Sequence, residues 1–113
     1  MKHEMRLHDE PFKLIKAGTK TIELRLYDEK RQKIKLGDII TVTNAQTNEE
    51  FEVKVVGLLH YETFDDLFKD YDIEMLADKS MTKEELKNEL EKFYPIEKQK
   101  QYSVLGIRVE LNI

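Results

Sequence analysis

The feature that most constrains the fold is an alternating pattern that begins directly after a glycine. From residue 22 to residue 26, shortly after Gly18, apolar residues occupy every second position. Successive side chains of a β-strand point to opposite faces, so the apolar set can enter a core while the polar set faces something else. The apolar set is Ile22, Leu24 and Leu26. The polar residues that gather at the start of this strand and along its other face are Lys20, Thr21, Glu23 and Arg25.

This polar set is a candidate site for a polar, anionic ligand. Arg25 can grip a phosphate with its planar fork, and Lys20 can do so as a point charge. Glu23 lies between two cations, which should lower its pKa and favour a hydrogen-bond acceptor over an acid. The structural alternative is an ion pair between Glu23 and Arg25 worth about 0–1 kcal/mol at a surface. In that alternative Thr21 only favours the strand.

Charge is unevenly distributed along the chain, although the total is only −4. Residues 13–35 contain eight Lys and Arg against three acidic residues, whereas residues 62–78 contain seven acidic residues and one Lys. Such segregation can focus a field at one surface. Within the basic segment, Lys30 and Arg31 are candidate phosphate contacts whose affinity would fall with salt. The alternative is an ordinary solvated loop.

The remaining patterns predict an α+β fold in the order β-α-β-β-β, a helical insertion, and a last strand. A first strand ends near Leu7, and a helix capped by Asp9 or Glu10 runs to Gly18. Residues 27–35 are expected to form a loop with a short turn at 28–31, followed by a strand over 39–43 and a hairpin loop over 44–49. The next strand carries Phe51, Val53 and Val55 on one face. Its apolar phase then shifts to Val56 and Leu58 beside Gly57, which predicts a bulge.

The insertion and the last strand complete the predicted sheet. Thr63 and Thr82 have the sequence of helix N-caps, and Thr82 has Glu85 in position for a capping box. Tyr94-Pro95 predicts the end of that helix. The last strand covers residues 102–111, with Gly106 at a point of close packing. Alternating strands suit an antiparallel sheet with one covered face, and a bend favours a small, partly closed barrel, although alternation alone also allows a sandwich.

Length and composition bound the remaining possibilities. We expect residues 1–113 to form one domain. The chain has no cysteine and no apolar run that could span a bilayer, and its start lacks a secretory signal, so we expect a soluble, cytoplasmic protein without disulfides. The three histidines show no metal-ligand spacing with acids. We therefore predict no metal and no cofactor, and we favour a monomer.

The motif Phe12-x-x-Ile15-x-x-Gly18-x-Lys20-Thr21-x-Glu23-x-Arg25, followed by Gly37-Asp38, resembles the ASCH domain, a branch of the PUA-like superfamily. The resemblance extends to Phe93-Tyr94-Pro95 before the last strand. It implies a small mixed or antiparallel PUA-like β-barrel with flanking helices packed over a cleft. It also implies RNA or nucleotide binding, so the first functional hypothesis is a binder of RNA or a modified nucleoside.

Some ASCH proteins are amidohydrolases that remove the acetyl group from N4-acetylcytidine, and the small ones resemble this chain in length. The resemblance implies a lysine nucleophile, a threonine three residues later and an acid just before a Met-Thr helix start. Lys20 matches the lysine, but Glu23 and Lys79 occupy the other two positions. The second hypothesis is thus an amidohydrolase with Lys20 and Glu23 as catalytic residues, or with an acid of the helical insertion in place of Glu23 as the proton carrier. The third is a protein-interaction module.

Overall fold

A computed structural model, which describes residues 1–113, divides the chain into five strands and six helices. The strands are β1 (Lys2–Leu7), β2 (Ile22–Leu26), β3 (Ile39–Asn44), β4 (Glu50–Tyr61) and β5 (Val104–Leu111). The helices are α1 (Asp9–Lys16), α2 (Glu29–Gln32), α3 (Phe64–Phe68), α4 (Ile73–Leu76), α5 (Lys83–Phe93) and α6 (Ile96–Tyr102). This succession confirms the predicted order of strands and the helical insertion before the last strand.

The five strands form one mixed sheet in the order β1-β3-β4-β5-β2. β1 pairs with β3 in parallel, and every other pair is antiparallel. The sheet curls into a half-barrel whose two edge strands are β1 and β2. The predicted α+β fold with a partly closed PUA-like barrel and flanking helices is therefore confirmed.

Two hydrophobic clusters hold the fold together. The first packs α1 against β1, β3, β4 and β5, and its largest fully buried side chain is Phe12. The second packs α3, α4 and α5 against β2 and β5. Ile22 and Leu24 belong to the second cluster, as the alternation of β2 predicted. Because β2 is apolar on the side of the helices, its polar residues are turned toward the other side of the sheet.

Two glycines allow the sheet to pack closely. The register of β4 against β5 shifts between Val55 and Gly57, which confirms the predicted bulge. Val56 lies at the bulge and is 41% exposed. It therefore does not join the buried apolar face, contrary to the expectation for Val56 and Leu58. Close packing at Gly106 is also confirmed, since an added Cβ would lie 3.0 Å from atoms of both Ile22 and Leu67.

Several helix termini differ from the predictions. His8, not Asp9 or Glu10, is the N-cap of α1, and Asp9 instead accepts a hydrogen bond from the Asn44 side chain at 2.9 Å. The expected turn at 28–31 is a one-turn helix, α2, whose N-cap Asp28 accepts from the Arg31 amide. The predicted capping box of Thr82 and Glu85 is confirmed.

The segment after Pro95 is the element that the sequence patterns missed. Pro95 ends α5 as expected, but it is also the N-cap of α6, and β5 begins at Val104 rather than at residue 102. The buried residue of α6 is the polar Gln99, so the helix has no apolar stripe to detect. None of the helices combines the length and the apolar composition needed to cross a membrane.

Candidate functional site

A cleft of about 350 Å³ lies at the open side of the half-barrel, between the two edge strands. Its walls come from β1, the start of α1, β2, the end of α4 and the length of α5. Most of the walls are apolar, whereas Lys20 and two of the three lining residues of β2 are charged. The lining residues are Arg6, Leu7, His8, Pro11, Lys20, Glu23, Leu24, Arg25, Leu76, Ala77, Leu86, Leu90, Phe93 and Tyr94.

Lys20 enters the cleft because the chain turns sharply after α1. Gly18 adopts a φ of +84°, a conformation that favours glycine, and the amides of residues 19 and 20 both donate to the Leu14 carbonyl. The Lys20 side chain is only 4% exposed. Its Nζ donates to the carbonyl oxygens of Ile22 and Leu76, each at 2.6 Å, and lies 3.4 Å from Glu23 Oε1.

Glu23 and Arg25 complete a charged triad with Lys20. Nε and Nη2 of Arg25 donate to Glu23 Oε2 at 3.1 and 2.8 Å. Nη2 also donates to the backbone carbonyl of Arg6 at 3.1 Å, so Arg25 connects the two edge strands across the opening. The triad therefore links β2 to α4 through Lys20 and to β1 through Arg25.

Burial and mutual charge shift the titration of the triad. Burial would raise the pKa of Glu23, but Lys20 and Arg25 outweigh it and hold that pKa below its ordinary value. Burial lowers the pKa of Lys20, with Glu23 opposing this and Arg25 adding to it. For Arg25, burial acts downward, but Glu23 and then Tyr94 raise the pKa above its ordinary value. Glu23 is thus an ionised acceptor at neutral pH, as the sequence predicted.

The mouth of the cleft is aromatic. Phe93, the last residue of α5, is 61% exposed, and its ring centroid lies 6.1 Å from that of His8. Tyr94 follows Phe93 and is held in place by Gln99, whose side chain donates to the Tyr94 carbonyl at 2.8 Å. Aromatic side chains together with a few placed polar groups are common in pockets that bind small ligands.

The structure brings together three of the six predicted site residues in the cleft. Lys20, Glu23 and Arg25 line the cleft. Arg31 does not line it, but burial and then the charge of Arg25 lower the pKa of Arg31. Thr21 is outside the lining, and its backbone amide donates to the Met75 carbonyl at 3.0 Å. Lys30 is exposed and faces a shallow polar depression beside β1 and the β3–β4 turn.

Two other aromatic residues, Tyr27 and Tyr61, lie outside the cleft. Tyr27 packs against His60 with ring centroids 4.2 Å apart, and the Tyr61 hydroxyl donates to Asp70. Sequence reasoning missed His8, Phe93 and Tyr94 as parts of a site. A signal existed for Phe93, because it continues the helical face of Leu86 and Leu90, but that spacing also describes an ordinary core face.

The triad suits binding better than proton transfer. An ammonium group has three donor hydrogens, and Lys20 has three acceptors around it, which fits the protonated form. Glu23 accepts two hydrogen bonds from Arg25 on Oε2, so Oε1, which lies 3.4 Å from Lys20 Nζ, keeps free acceptor capacity. A neutral donor such as an exocyclic amine could use that capacity.

Comparison with known proteins agrees with this architecture. The ASCH domain model matches residues 5–111. The chain is similar to the crystal structure of hypothetical protein PH0355, with 40% identity over 99% of this chain and 100% of that chain and a TM-score of 0.88. It is also similar to the solution NMR structure of protein PF0455 from Pyrococcus furiosus, with 35% identity over 98% and 97% of the two chains and a TM-score of 0.79. No curated protein matches it. Because the family match spans nearly all of the sequence, the chain belongs to the ASCH domain family.

Proposed function

We propose that this protein binds a modified nucleoside, free or as a single unpaired residue of RNA, in the cleft between β1 and β2. The observation that carries the proposal is the buried charged triad of Lys20, Glu23 and Arg25 at one side of an otherwise apolar cleft. Burying three charges is costly unless they are paired. A fixed carboxylate with one oxygen partly free is the kind of group that recognises a base edge.

The size and charge of the molecule favour a compact ligand. A volume of about 350 Å³ lies at the low end of small-molecule sites, which span about 300–1,000 Å³. The net charge of −4 and the acidic insertion disfavour the long run of phosphates that a duplex would bring close. A single base stacked on Phe93, with an amine donating to Glu23 Oε1, satisfies both constraints.

Amide hydrolysis is a second candidate, supported by one observation. Burial lowers the pKa of Lys20, as lysine nucleophiles require. Against it stand the three acceptors that occupy the Lys20 ammonium group and the ionised, doubly hydrogen-bonded state of Glu23. Binding therefore remains the main proposal.

Calorimetric titration with the four ribonucleosides and N4-acetylcytidine tests the proposal. We expect at least one of them to bind, and Glu23→Gln to weaken that binding at least tenfold, since the variant loses the ionised acceptor. Glu89→Gln, which changes an exposed acid on α5, is the matched control and should bind as the unmodified protein does.

The competing hypotheses give different results in the same experiment. Release of cytidine from N4-acetylcytidine that disappears in Lys20→Ala would establish the amidohydrolase instead. Absence of both binding and turnover with every nucleoside would contradict the proposal and leave the protein-interaction module. Thermal unfolding of each variant distinguishes a lost ligand contact from a lost fold.

A further inference from the structure

Gln99 is a polar side chain that is buried away from the cleft. It is 3% exposed and is the buried residue of α6, although it does not line the cleft. The adjacent Lys98 and Lys100 are exposed, so the helix turns an uncharged amide inward and its charged residues outward. Burying an amide group is costly unless its oxygen and nitrogen have hydrogen-bond partners, so the partners of Gln99 explain its position.

Both ends of the Gln99 side chain bind backbone groups of other helices. Oε1 accepts from the amide of Phe64, the first residue of α3, at 3.1 Å. Nε2 donates to the carbonyl of Tyr94, the C-cap of α5, at 2.8 Å. A backbone amide only donates and a carbonyl only accepts, so these partners fix which end of the side chain is which. One buried side chain therefore joins the start of α3 to the end of α5.

Tyr94 depends on these contacts for its position. Its φ of −130° and ψ of 77° lie outside the regular helical conformation, and Pro95 follows it, so α5 cannot continue through this residue. The buried ring of Phe64 lies 5.8 Å from the ring of Tyr94, measured between centroids. Tyr94 is thus held at its carbonyl by Gln99 and at its ring by Phe64, whose amide Gln99 also binds.

Tyr94 connects these contacts with the ligand site. Both Phe93 and Tyr94 line the cleft. Tyr94 also acts on the triad, because burial lowers the pKa of Arg25 whereas Glu23 and then Tyr94 raise it. The side chains of a binding site have to be held within about 0.5 Å of the binding geometry by the residues that support them. Gln99 supports the part of the rim that contains Tyr94.

We propose that Gln99 is a positioning residue of the cleft: by fixing the backbone at Tyr94, it sets the affinity of the cleft for its ligand without touching that ligand. This inference rests on the proposed function, because it takes the cleft as the nucleoside site. A residue with a purely structural role would change the free energy of unfolding and leave the affinity of the folded protein unchanged. A positioning residue changes the affinity of the folded protein as well.

Calorimetric titration with the four ribonucleosides and N4-acetylcytidine measures this affinity in two variants, Gln99→Met and Gln99→Leu. Both variants keep a side chain of similar volume and remove both hydrogen bonds. We expect each of them to bind the nucleoside roughly three- to tenfold more weakly than the unmodified protein, as the loss of one supporting hydrogen bond predicts. Titration below the onset of each variant's thermal unfolding ensures that folded proteins are compared.

Thr63→Ala is the matched control. The Thr63 hydroxyl accepts from the Asp66 amide at 3.3 Å and caps α3, so its loss loosens the same helix start that Gln99 binds. Thr63 does not line the cleft, and its replacement leaves both hydrogen bonds of Gln99 in place. Thr63→Ala should therefore lower the melting temperature and keep the full affinity for the nucleoside.

A single tryptophan reports the position of residue 94 without any ligand. The chain contains no tryptophan, so Tyr94→Trp introduces one fluorophore at the rim of the cleft. Adding Gln99→Met to this variant should shift the emission to longer wavelength and raise its quenching by acrylamide, because the released rim exposes the indole ring to water. Adding Thr63→Ala instead should leave both properties unchanged.

Each outcome separates this inference from the proposed function. Nucleoside affinity that is unchanged in both Gln99 variants would overturn the positioning role and leave the proposed function intact. An equal loss of affinity in Thr63→Ala would also overturn it, because general loosening would then explain the effect. Failure of every nucleoside to bind, with emission that Gln99→Met alone shifts, would contradict the proposed function and support the positioning of Tyr94 by Gln99. Emission that Gln99→Met does not shift would overturn the inference whatever the nucleosides do.

Discussion

Glu23 and Arg25 lie two positions apart on β2, and two N–H groups of Arg25 converge on a single oxygen of Glu23, Oε2. The other oxygen, Oε1, is thereby left for the more distant Lys20 at 3.4 Å. This division of one carboxylate between two cations keeps Glu23 ionised within a largely apolar wall. It also makes the three residues dependent on one another, which mutagenesis can measure.

Replacing Lys20 by methionine is expected to lower the free energy of unfolding by roughly 3–5 kcal/mol, the usual cost of removing one partner of a buried ion pair. The change leaves the carbonyls of Ile22 and Leu76 without their shared donor and leaves Glu23 with Arg25 alone. Urea denaturation measures the difference. Lys92→Met is the control, because the exposed pair with Glu89 on α5 should contribute about 0–1 kcal/mol.

A double-mutant cycle tests whether Lys20 and Glu23 act together. We expect Lys20→Met combined with Glu23→Gln to be less destabilising than the sum of the two single changes, by about 0.5–3 kcal/mol, because the attraction between Lys20 and Glu23 can be lost only once and the double variant no longer leaves Lys20 as a buried cation without its carboxylate. Strict additivity would show that the 3.4 Å contact between Nζ and Oε1 is incidental and that the carbonyl bonds alone hold Lys20.

The sequence predicted the strand next to and within which the triad lies, but not the burial and the partners of the triad's side chains. Alternation within β2 is a local property, so the faces of Ile22 and Glu23 followed from spacing alone. The burial of Lys20 depends on the carbonyl of Leu76, which lies 56 positions away in a helix of only four residues. No local pattern encodes such a contact. A basic residue beside a glycine therefore looked like an exposed ligand contact although it is almost fully buried.

The residues of the basic loop also show that local sequence patterns do not predict contacts between distant residues. Lys30 and Arg31 are neighbours in the sequence and were equal candidates, yet Lys30 is exposed beside the β3–β4 turn, whereas Arg31 is half-buried and the charge of Arg25 helps to lower its pKa. The difference arises because Asp28 caps a single helical turn that sends adjacent side chains in different directions. A four-residue helix without a buried residue has no periodicity from which this could be read.

Ionised Asp38 is expected to stabilise the folded protein, and this stabilisation is lost at acid pH. His3 and the Lys35 amide lower the pKa of Asp38 from 3.8 to about 2. A carboxyl whose pKa is lower in the folded state stabilises the fold above its unfolded pKa, and that stabilisation is lost as the pH falls through the folded value. The denaturation midpoint of Asp38→Asn should thus lie below that of the unmodified protein at pH 6, and the gap should narrow between about pH 4 and pH 2. A gap independent of pH would show that Asp38 acts only through neutral hydrogen bonds.

Gly106→Ala is expected to destabilise the protein by roughly 1–3 kcal/mol through overpacking. The added methyl group would lie 3.0 Å from Ile22 and from Leu67 and 3.3 Å from Leu59. Ile22 and Leu67 are fully buried in the second hydrophobic cluster and have little room to move. Thermal unfolding measures the effect. An unchanged melting temperature would mean that β2 and α3 can shift apart by a few tenths of an ångström without loss of packing.

Phe93 is expected to affect ligand binding far more than stability. It is 61% exposed at the mouth of the cleft, so Phe93→Ala removes little buried surface. If a base stacks on this ring, its loss should weaken nucleoside binding by about 1–3 kcal/mol, or roughly five- to 150-fold. Ile96→Ala is the matched control, since Ile96 is a 39% exposed apolar residue three positions away that does not line the cleft. Equal affinities in calorimetric titrations of the two variants would show that the base does not lie on Phe93, and would direct the search for a stacking surface to His8 on the opposite rim.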